Sequence, residues 1–311
     1  MNSSSIQISI VVPSYKGKDI LPVLYQRVKS SLENWCSSWE LILINDASPQ
    51  DDWSVIRQLA ESDSRVVGID FARNFGQHYA ITAGIEAAKG EWIVVMDCDL
   101  QDRPEEIVHL YNKAQEGFDI VLARRHMRKD TFLKKTFSKI FYSVLSYLTQ
   151  TQQDSAVGNF GIYNRKVIDA ILSMGDSLRY FPTMVRWVGF KLTSQDVEHA
   201  EREIGTTSYN FKRLINLALD VMLAFSDRPL KLVVKTGFWI SFFSILFAIF
   251  NLIRYILGDI TIAGWTSMII SIWFLSGLII FVLGIIGLYV GKTFEKVKSR
   301  PTYIVREKIN G

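Results

Sequence analysis

The segment Met96-Asp97-Cys98-Asp99-Leu100-Gln101-Asp102 brings two carboxylates and a side-chain amide oxygen into one short stretch. Hard oxygen donors in that pattern suit Mg2+ or Mn2+, and such an ion in turn holds a diphosphate. Alternate side chains of an extended strand share a face, so Asp97 and Asp99 can point together if extended geometry runs on through Cys98. Asp102 precedes Arg103-Pro104-Glu105, and an acidic residue ahead of a Pro-initiated helix reads first as a stabiliser of its N-terminus. Three more polar clusters come earlier in the chain: Pro13-Ser14-Tyr15, Asn45-Asp46-Ala47-Ser48 and Arg73-Asn74-Phe75-Gly76. Asp46 reads either as a ligand contact or as a cap of the helix that follows it.

Each cluster ends a short run rich in Ile, Val and Leu: Ile8 to Pro13, Glu40 to Asn45, Arg65 to Phe71 and Glu91 to Met96, with a fifth run from Asp119 to Ala123. Runs of that length with few polar breaks fit strands covered on both faces. Asp19 to Trp35, Asp52 to Ser62, Gly76 to Ala88 and Pro104 to Glu116 read as the intervening helices. Repeated βα units imply an α/β fold, a doubly wound and mostly parallel sheet with helices on both faces. In such sheets ligands bind beyond the carboxyl ends of the strands, where the four clusters would converge.

The chain has 311 residues and a net charge of +4, and its apolar residues are unevenly spread. No charge occurs between Lys235 and Arg254 or between Asp259 and Lys292. As helices these runs reach about 27 and 48 Å, against a hydrocarbon core of roughly 30 Å, so two transmembrane helices are expected. Arg228, Lys231 and Lys235 precede the first run, and Lys292, Lys296, Lys298 and Arg300 follow the second. Positive-inside places both termini in the cytoplasm. The start does not read as a signal peptide. Cys36 and Cys98 fit a reducing compartment, and basic residues gathered beside the apolar runs favour anionic lipid over nucleic acid. Phe132 to Leu148 and Phe211 to Phe225 have the spacing of amphipathic helices, for the membrane interface or for packing on the domain. The expected divisions are a catalytic domain over 1–208, a juxtamembrane helix over 209–231, two spans over 232–292 and a basic tail over 293–311.

In order and spacing, Val11-Val12-Pro13-Ser14-Tyr15, the Asn45 and Arg73 clusters and the Asp97-Cys98-Asp99 segment resemble family 2 glycosyltransferases with a GT-A domain. The resemblance is to the polyprenyl-phosphate branch, which includes bactoprenol glucosyltransferases and dolichol-phosphate mannose synthases. It runs from about Ile8 to Tyr209 and, for the bactoprenol type, through the paired C-terminal spans. It implies inverting transfer of one sugar from a nucleotide sugar, UDP-glucose first, to undecaprenyl phosphate at the cytoplasmic face of a bacterial inner membrane. Pro13, Tyr15, Asp46, Arg73 and Asn74 would bind the donor, and Asp97, Asp99 and Gln101 would hold Mg2+ or Mn2+ on its diphosphate. Asp154, in Asp154-Ser155-Ala156-Val157-Gly158-Asn159-Phe160, matches an Asp near the reacting centre. Arg202 opens Arg202-Glu203-Ile204-Gly205-Thr206-Thr207-Ser208-Tyr209, similar to the family's Arg-x-x-Gly-x-Ser-Lys-Tyr phosphate motif. Ser208 stands in place of its Lys, so Arg124, Arg125 or Lys139 would supply the missing acceptor-phosphate contact. Cys98 stands where Ala is usual. The resemblance also implies a homo-oligomer, with a tetramer as one form.

Two rival readings remain. Arg186-Trp187 resembles the end of the Gln-x-x-Arg-Trp motif of processive polysaccharide synthases, with Thr183 where Gln is needed. A membrane-bound nucleotide-sugar scaffold without turnover would keep the fold but has no need of the intact Asp97, Asp99 and Gln101 set.

Overall fold

The computed structural model describes residues 6–125, 157–176, 178–198, 228–257 and 264–311. They fall into two compact units, the second holding residues 228–257 and 264–300 and the first the remainder. In the first unit β1 (Ile8–Ser14), β2 (Trp39–Asn45) and β3 (Val66–Phe71) alternate with α1 (Leu21–Leu32), α2 (Asp52–Ser62) and α3 (Gln77–Ala87), and β4 (Trp92–Val95) follows. Every residue of β1 and β2 is buried, as expected of strands covered on both faces. α1 buries Leu21, Leu24, Tyr25, Val28 and Leu32, a stripe at helical spacing turned to the core.

Among the described residues the sheet has eight strands in the order β7-β5-β6-β4-β1-β2-β3-β8. The pairs β1–β2, β1–β4 and β2–β3 are parallel, the expected doubly wound core. After α4 (Ile107–Gln115) and β5 (Ile120–Arg125), β6 (Val157–Asn164) runs antiparallel between β4 and β5. α5 (Arg165–Ser173), α6 (Phe181–Trp187) and β7 (Leu192–Val197) follow, with β7 parallel to β5. Pro13 lies beyond the last β1–β4 partner pair, Val11 with Val95, where the ladder no longer needs the N–H that proline lacks.

Residues 293–311 read from sequence as a basic tail, but β8 (Val305–Ile309) pairs antiparallel with the free edge of β3. Its Val-Arg-Glu-Lys-Ile sequence is charged because an edge strand is covered on fewer sides.

The second unit contains α7 (Arg228–Ile256) and α8 (Trp265–Val297). Within α8, Ser271–Phe294 has a mean hydropathy of 2.4 over 24 residues and none of its window is buried, so by length and composition it can cross a membrane. Trp273 is 77% and Ile280 70% exposed, and an apolar surface of that extent calls for a non-aqueous partner. Of the two spans expected, this is the one stretch among the described residues that passes as membrane-spanning; α7 is established as a long helix with Phe238, Phe243 and Phe247 exposed. The amphipathic stretches expected over 132–148 and 211–225 lie outside the described residues.

α3 seats on the sheet through Gly84, where a Cβ would collide with Val11 Cγ1 and lie 2.8 Å from Ile44 Cδ1. Gly84→Val should therefore destabilise the sheet unit by about 1–3 kcal/mol, the usual cost of overpacking. The thermal unfolding midpoint of detergent-solubilised protein checks this, and an unchanged midpoint would rule out the close seat.

Candidate active site

The strand order sends the chain from β1 out through β2 and β3 and then back to β4 on the other side of β1. A crevice opens at such a reversal, beyond the carboxyl ends of β1 and β4. β4 ends at Val95, and residues 98–99 form a turn followed by Leu100 in the left-handed region at φ 58°. The extended path expected through Cys98 is thus absent, and a turn sets the directions of Asp97 and Asp99. Asp97 Oδ1 accepts hydrogen bonds from Gln77 Nε2 at 2.6 Å and Asn159 Nδ2 at 3.4 Å. Asp99 Oδ1 accepts from the Gln101 backbone N–H at 3.2 Å. Asp102, 3% exposed, turns back to accept from the Asp97 N–H at 3.5 Å. Lys16 at φ 62° and Ala47 at φ 49° are also left-handed, so the tips of β1, β2 and β4 each hold a non-glycine residue in a conformation costing of order 1–3 kcal/mol.

The donor set fits a nucleotide-bound divalent ion. A carboxylate has about four acceptor positions, enough in kind to take hydrogen bonds and a metal ion together. Mg2+ usually takes one or two carboxylates from the protein and its other oxygens from phosphate and water. Among the described residues no group of three or more His, Cys, Asp or Glu gathers to cage an ion. Diphosphate and water would have to complete the shell.

Beside the turn, Tyr15 projects from the end of β1 with 47% of its surface exposed and the Lys16 ammonium 5.6 Å from its ring centre. Pro13 is buried within β1 and fixes the path to Ser14 and Tyr15 instead of presenting a surface. Asp46 is 3% exposed, and its two oxygens accept from the Phe75 N–H at 2.7 Å and the Gly76 N–H at 2.9 Å. Burial pushes its carboxyl above the ordinary range while those amides pull it down. Asn74 Nδ2 donates to the Asp46 carbonyl at 3.1 Å, and the exposed Arg73 guanidinium lies 4.5 Å from the Phe75 ring centre. Gly76, at φ 102°, turns the chain so that its N–H meets Asp46 just before α3 begins.

Three contributors were not legible as such. Fully buried Asp52 accepts from Ser14 Oγ at 2.6 Å, the Gly17 N–H at 2.8 Å and Ser48 Oγ at 2.7 Å, joining the tips of β1 and β2. In sequence it is an ordinary acidic residue in a first helical turn. Gln77 and Asn159 lie within or beside quoted motifs, but nothing in sequence aims their amides at Asp97. Cys98 packs with the core next to Gly17, and burial pushes its thiol up to about 12.

Of the residues expected to hold the acceptor phosphate, Arg124 grips Asp196 with contacts of 2.6 and 3.1 Å, both side chains being nearly half exposed. Such surface pairs contribute about 0–1 kcal/mol, little enough for an arriving phosphate to compete. Arg125 lies in β5 opposite Val197, and its side chain is outside the described set. Lys139, Asp154 and Arg202 lie outside the described residues.

Residues 9–172 match the family model for glycosyl transferase family 2. Bactoprenol glucosyl transferase of Shigella phage SfII is 33% identical over 307 residues, covering 98% of this chain and 99% of the relative. Undecaprenyl-phosphate 4-deoxy-4-formamido-L-arabinose transferase of Salmonella choleraesuis is 34% identical over 311 residues, covering 97% and 94%. Glucosyl-3-phosphoglycerate synthase from Mycobacterium tuberculosis, solved with Mn2+, UDP and phosphoglyceric acid, superposes with a TM-score of 0.51 at 13% identity, covering 70% of this chain and 77% of that one, a likeness of fold.

Asp52→Ala strands donors from two strand tips, at about 1–3 kcal/mol for each buried group left unpaired. The variant should unfold at clearly lower temperature or denaturant concentration than wild type, and an equal midpoint would remove Asp52 from its joining role. His78, at the start of α3 with its ring 4.6 Å from that of Tyr180, has a buried Nδ1 without a hydrogen bond, and burial lowers its imidazole from 6.5 to about 4. Between those values the unfolded chain binds the extra proton, so this contribution is intact above pH 6.5 and is lost as pH falls toward 4. Unfolding midpoints measured across that window should fall less steeply in His78→Gln than in wild type.

Proposed function

Because the chain belongs to glycosyl transferase family 2, we propose that it transfers a single sugar from a nucleotide sugar to undecaprenyl phosphate or a closely similar polyprenyl phosphate. The observation that carries this reading is the Asp97-Asp99 turn at the β1/β4 crevice, in a chain that aligns from end to end with two undecaprenyl (bactoprenol) sugar transferases. Those relatives differ in the sugar they move, and UDP-glucose is the first candidate here.

The acceptor is a phosphate monoester whose second pKa lies near 6, so its oxygen is already largely deprotonated at neutral pH. That oxygen attacks the anomeric carbon, and the bond from carbon to the diphosphate oxygen breaks with its electron pair leaving on the nucleoside diphosphate. Bound Mg2+ or Mn2+ would neutralise that leaving group. Asp97 and Asp99 would hold the ion, with Gln77 and Asn159 fixing the Asp97 rotamer through neutral amides. Tyr15 and the Asp46–Gly76 wall would line the donor side, while Arg124, Arg125, Lys139 and Arg202 would orient the acceptor. Asp154 would position the acceptor or stabilise positive character at the anomeric carbon. No strong general base is required, so positioning and electrostatics carry the rate.

A long prenyl chain leaves the bilayer at about 0.8 kcal/mol per CH2, so the enzyme must work at the membrane. Two spans with both termini cytoplasmic are supported by connectivity as well as by the flanking Lys and Arg residues. β7 and β8 belong to one sheet, so a chain that crosses in α8 has to cross again to return. α7 has the length to do so.

Membranes bearing the protein, incubated with undecaprenyl phosphate and a panel of radiolabelled nucleotide sugars, should put label from one sugar into a chloroform-soluble product. EDTA should abolish the transfer, and added Mg2+ or Mn2+ should restore it. Asp99→Ala should lose transfer by about three orders of magnitude, in line with removal of a group acting on transition-state charge, while inserting into membranes normally. Water-soluble polymer as the product, or full activity in Asp99→Ala, would sink the proposal.

A further inference from the structure

We infer that the C-terminal strand is a working part of the donor pocket and that Arg306 is a positioning residue for nucleotide binding. This rests on the donor-side reading above.

Asp70, at the end of β3, is 1% exposed. Its Oδ1 accepts from Asn45 Nδ2 at 2.7 Å. Its Oδ2 has no hydrogen bond, and Arg306 Nη1 lies 3.3 Å away in ion-pair contact. The guanidinium is held there by a second contact, Nη2 donating to the Ala72 carbonyl at 2.9 Å. β8 therefore supplies the charge that lets a carboxylate stand buried under the tips of β2 and β3.

Two lines of contact run from there into the pocket. Along the first, Asn45 passes from Asp70 to the Ser48 N–H, which its Oδ1 accepts at 3.0 Å, and Ser48 Oγ donates to Asp52, the acceptor for Ser14 and Gly17 on either side of Tyr15. Along the second, the Ala72 N–H donates to the Ile304 carbonyl at 3.0 Å, and Tyr303 stacks on Phe71 at 5.1 Å between ring centres. Phe71 meets Phe75 edge-on at 5.6 Å, and the Phe75 N–H holds Asp46. Tyr303 is anchored in turn by its hydroxyl, which donates to Glu86 on α3 at 2.5 Å. The first line ends on the two neighbours of the Tyr15-Lys16 tip, Ser14 and Gly17, and the second on Asp46; Tyr15 and Asp46 are residues assigned to the donor.

Removing one member of a charge pair while the other stays buried is the damaging change; removing both is far milder. Arg306→Gln should thus weaken nucleotide binding about tenfold with little change in kcat at saturating donor, whereas Asp70→Asn combined with Arg306→Gln should recover most of the loss. Arg306→Lys, which keeps the charge, should stay near wild type. Calorimetric titration with UDP and with GDP, each with Mn2+, reads affinity, and hydrogen exchange reads the loops. In Arg306→Gln the amides of Ser48, Phe75 and Gly76 should exchange faster while those of β1 and β4 do not. Wild-type affinity and exchange in Arg306→Gln, or no recovery in the double variant, would overturn the inference. A wild-type protein that binds neither nucleotide would defeat the donor reading, and the exchange pattern alone would then decide whether Arg306 sets these loops.

Discussion

A carboxylate carried into the buried carboxyl edge of a parallel sheet must find donors there, because an unpaired buried charge costs several kcal/mol or simply takes up a proton. Asp46, Asp52, Asp70 and Asp102 are each at most 3% exposed; the first three take donors or a cation from a different segment of the chain, and Asp102 takes the Asp97 N–H within its own loop. Satisfying them forces the loops after β1, β2 and β3 into fixed relations and folds the loop after β4 back on itself. The geometry of the crevice is largely the by-product of that requirement.

The kind of donor differs from site to site, and the difference has chemical consequences. Asp46 and Asp52 are held by backbone N–H and hydroxyl groups, which fix a loop without bringing a full charge. Asp70 is matched by a guanidinium. Asp97 accepts from two neutral amides, which orient a carboxylate without bringing a charge of their own. An arginine in the place of Gln77 would compete with a divalent ion for Asp97; glutamine does not.

The core of the fold was legible because β-branched runs and amphipathic helices repeat with clear periods from Ile8 to Gln115, and the structure has strands and helices where those periods put them. β6 was hidden because Val157–Asn164 mixes two glycines and two asparagines with its apolar residues. β8 was hidden because edge strands tolerate charge, so Arg306, Glu307 and Lys308 read as a tail. The clusters at the tips of β1 to β4 were recognisable from residue type and order. Their internal economy was not: Asp46 reads in sequence as a ligand contact or a cap of the helix after it, and what its two oxygens accept is the Phe75 and Gly76 N–H groups of the β3–α3 loop. Sequence shows which polar groups reach an edge, whereas burial decides which of them spend themselves on the protein.

The second unit is, in chain order, an insertion between two strands of the same sheet, since β7 ends at Val197 and β8 begins at Val305. Closing so long an excursion costs only slowly more entropy as it lengthens, about 0.6 kcal/mol per doubling. Local contacts at the edge of β3 can therefore hold the returning chain. Glu307 takes Arg57 at 2.7 Å and Trp53 Nε1 at 3.1 Å, and Asn310 Nδ2 donates to the Ala60 and Val66 carbonyls. These partners come from α2 and β3, elements that also carry Asp52 and Asp70. The strand that closes the insertion thus rests on the same elements that set the crevice.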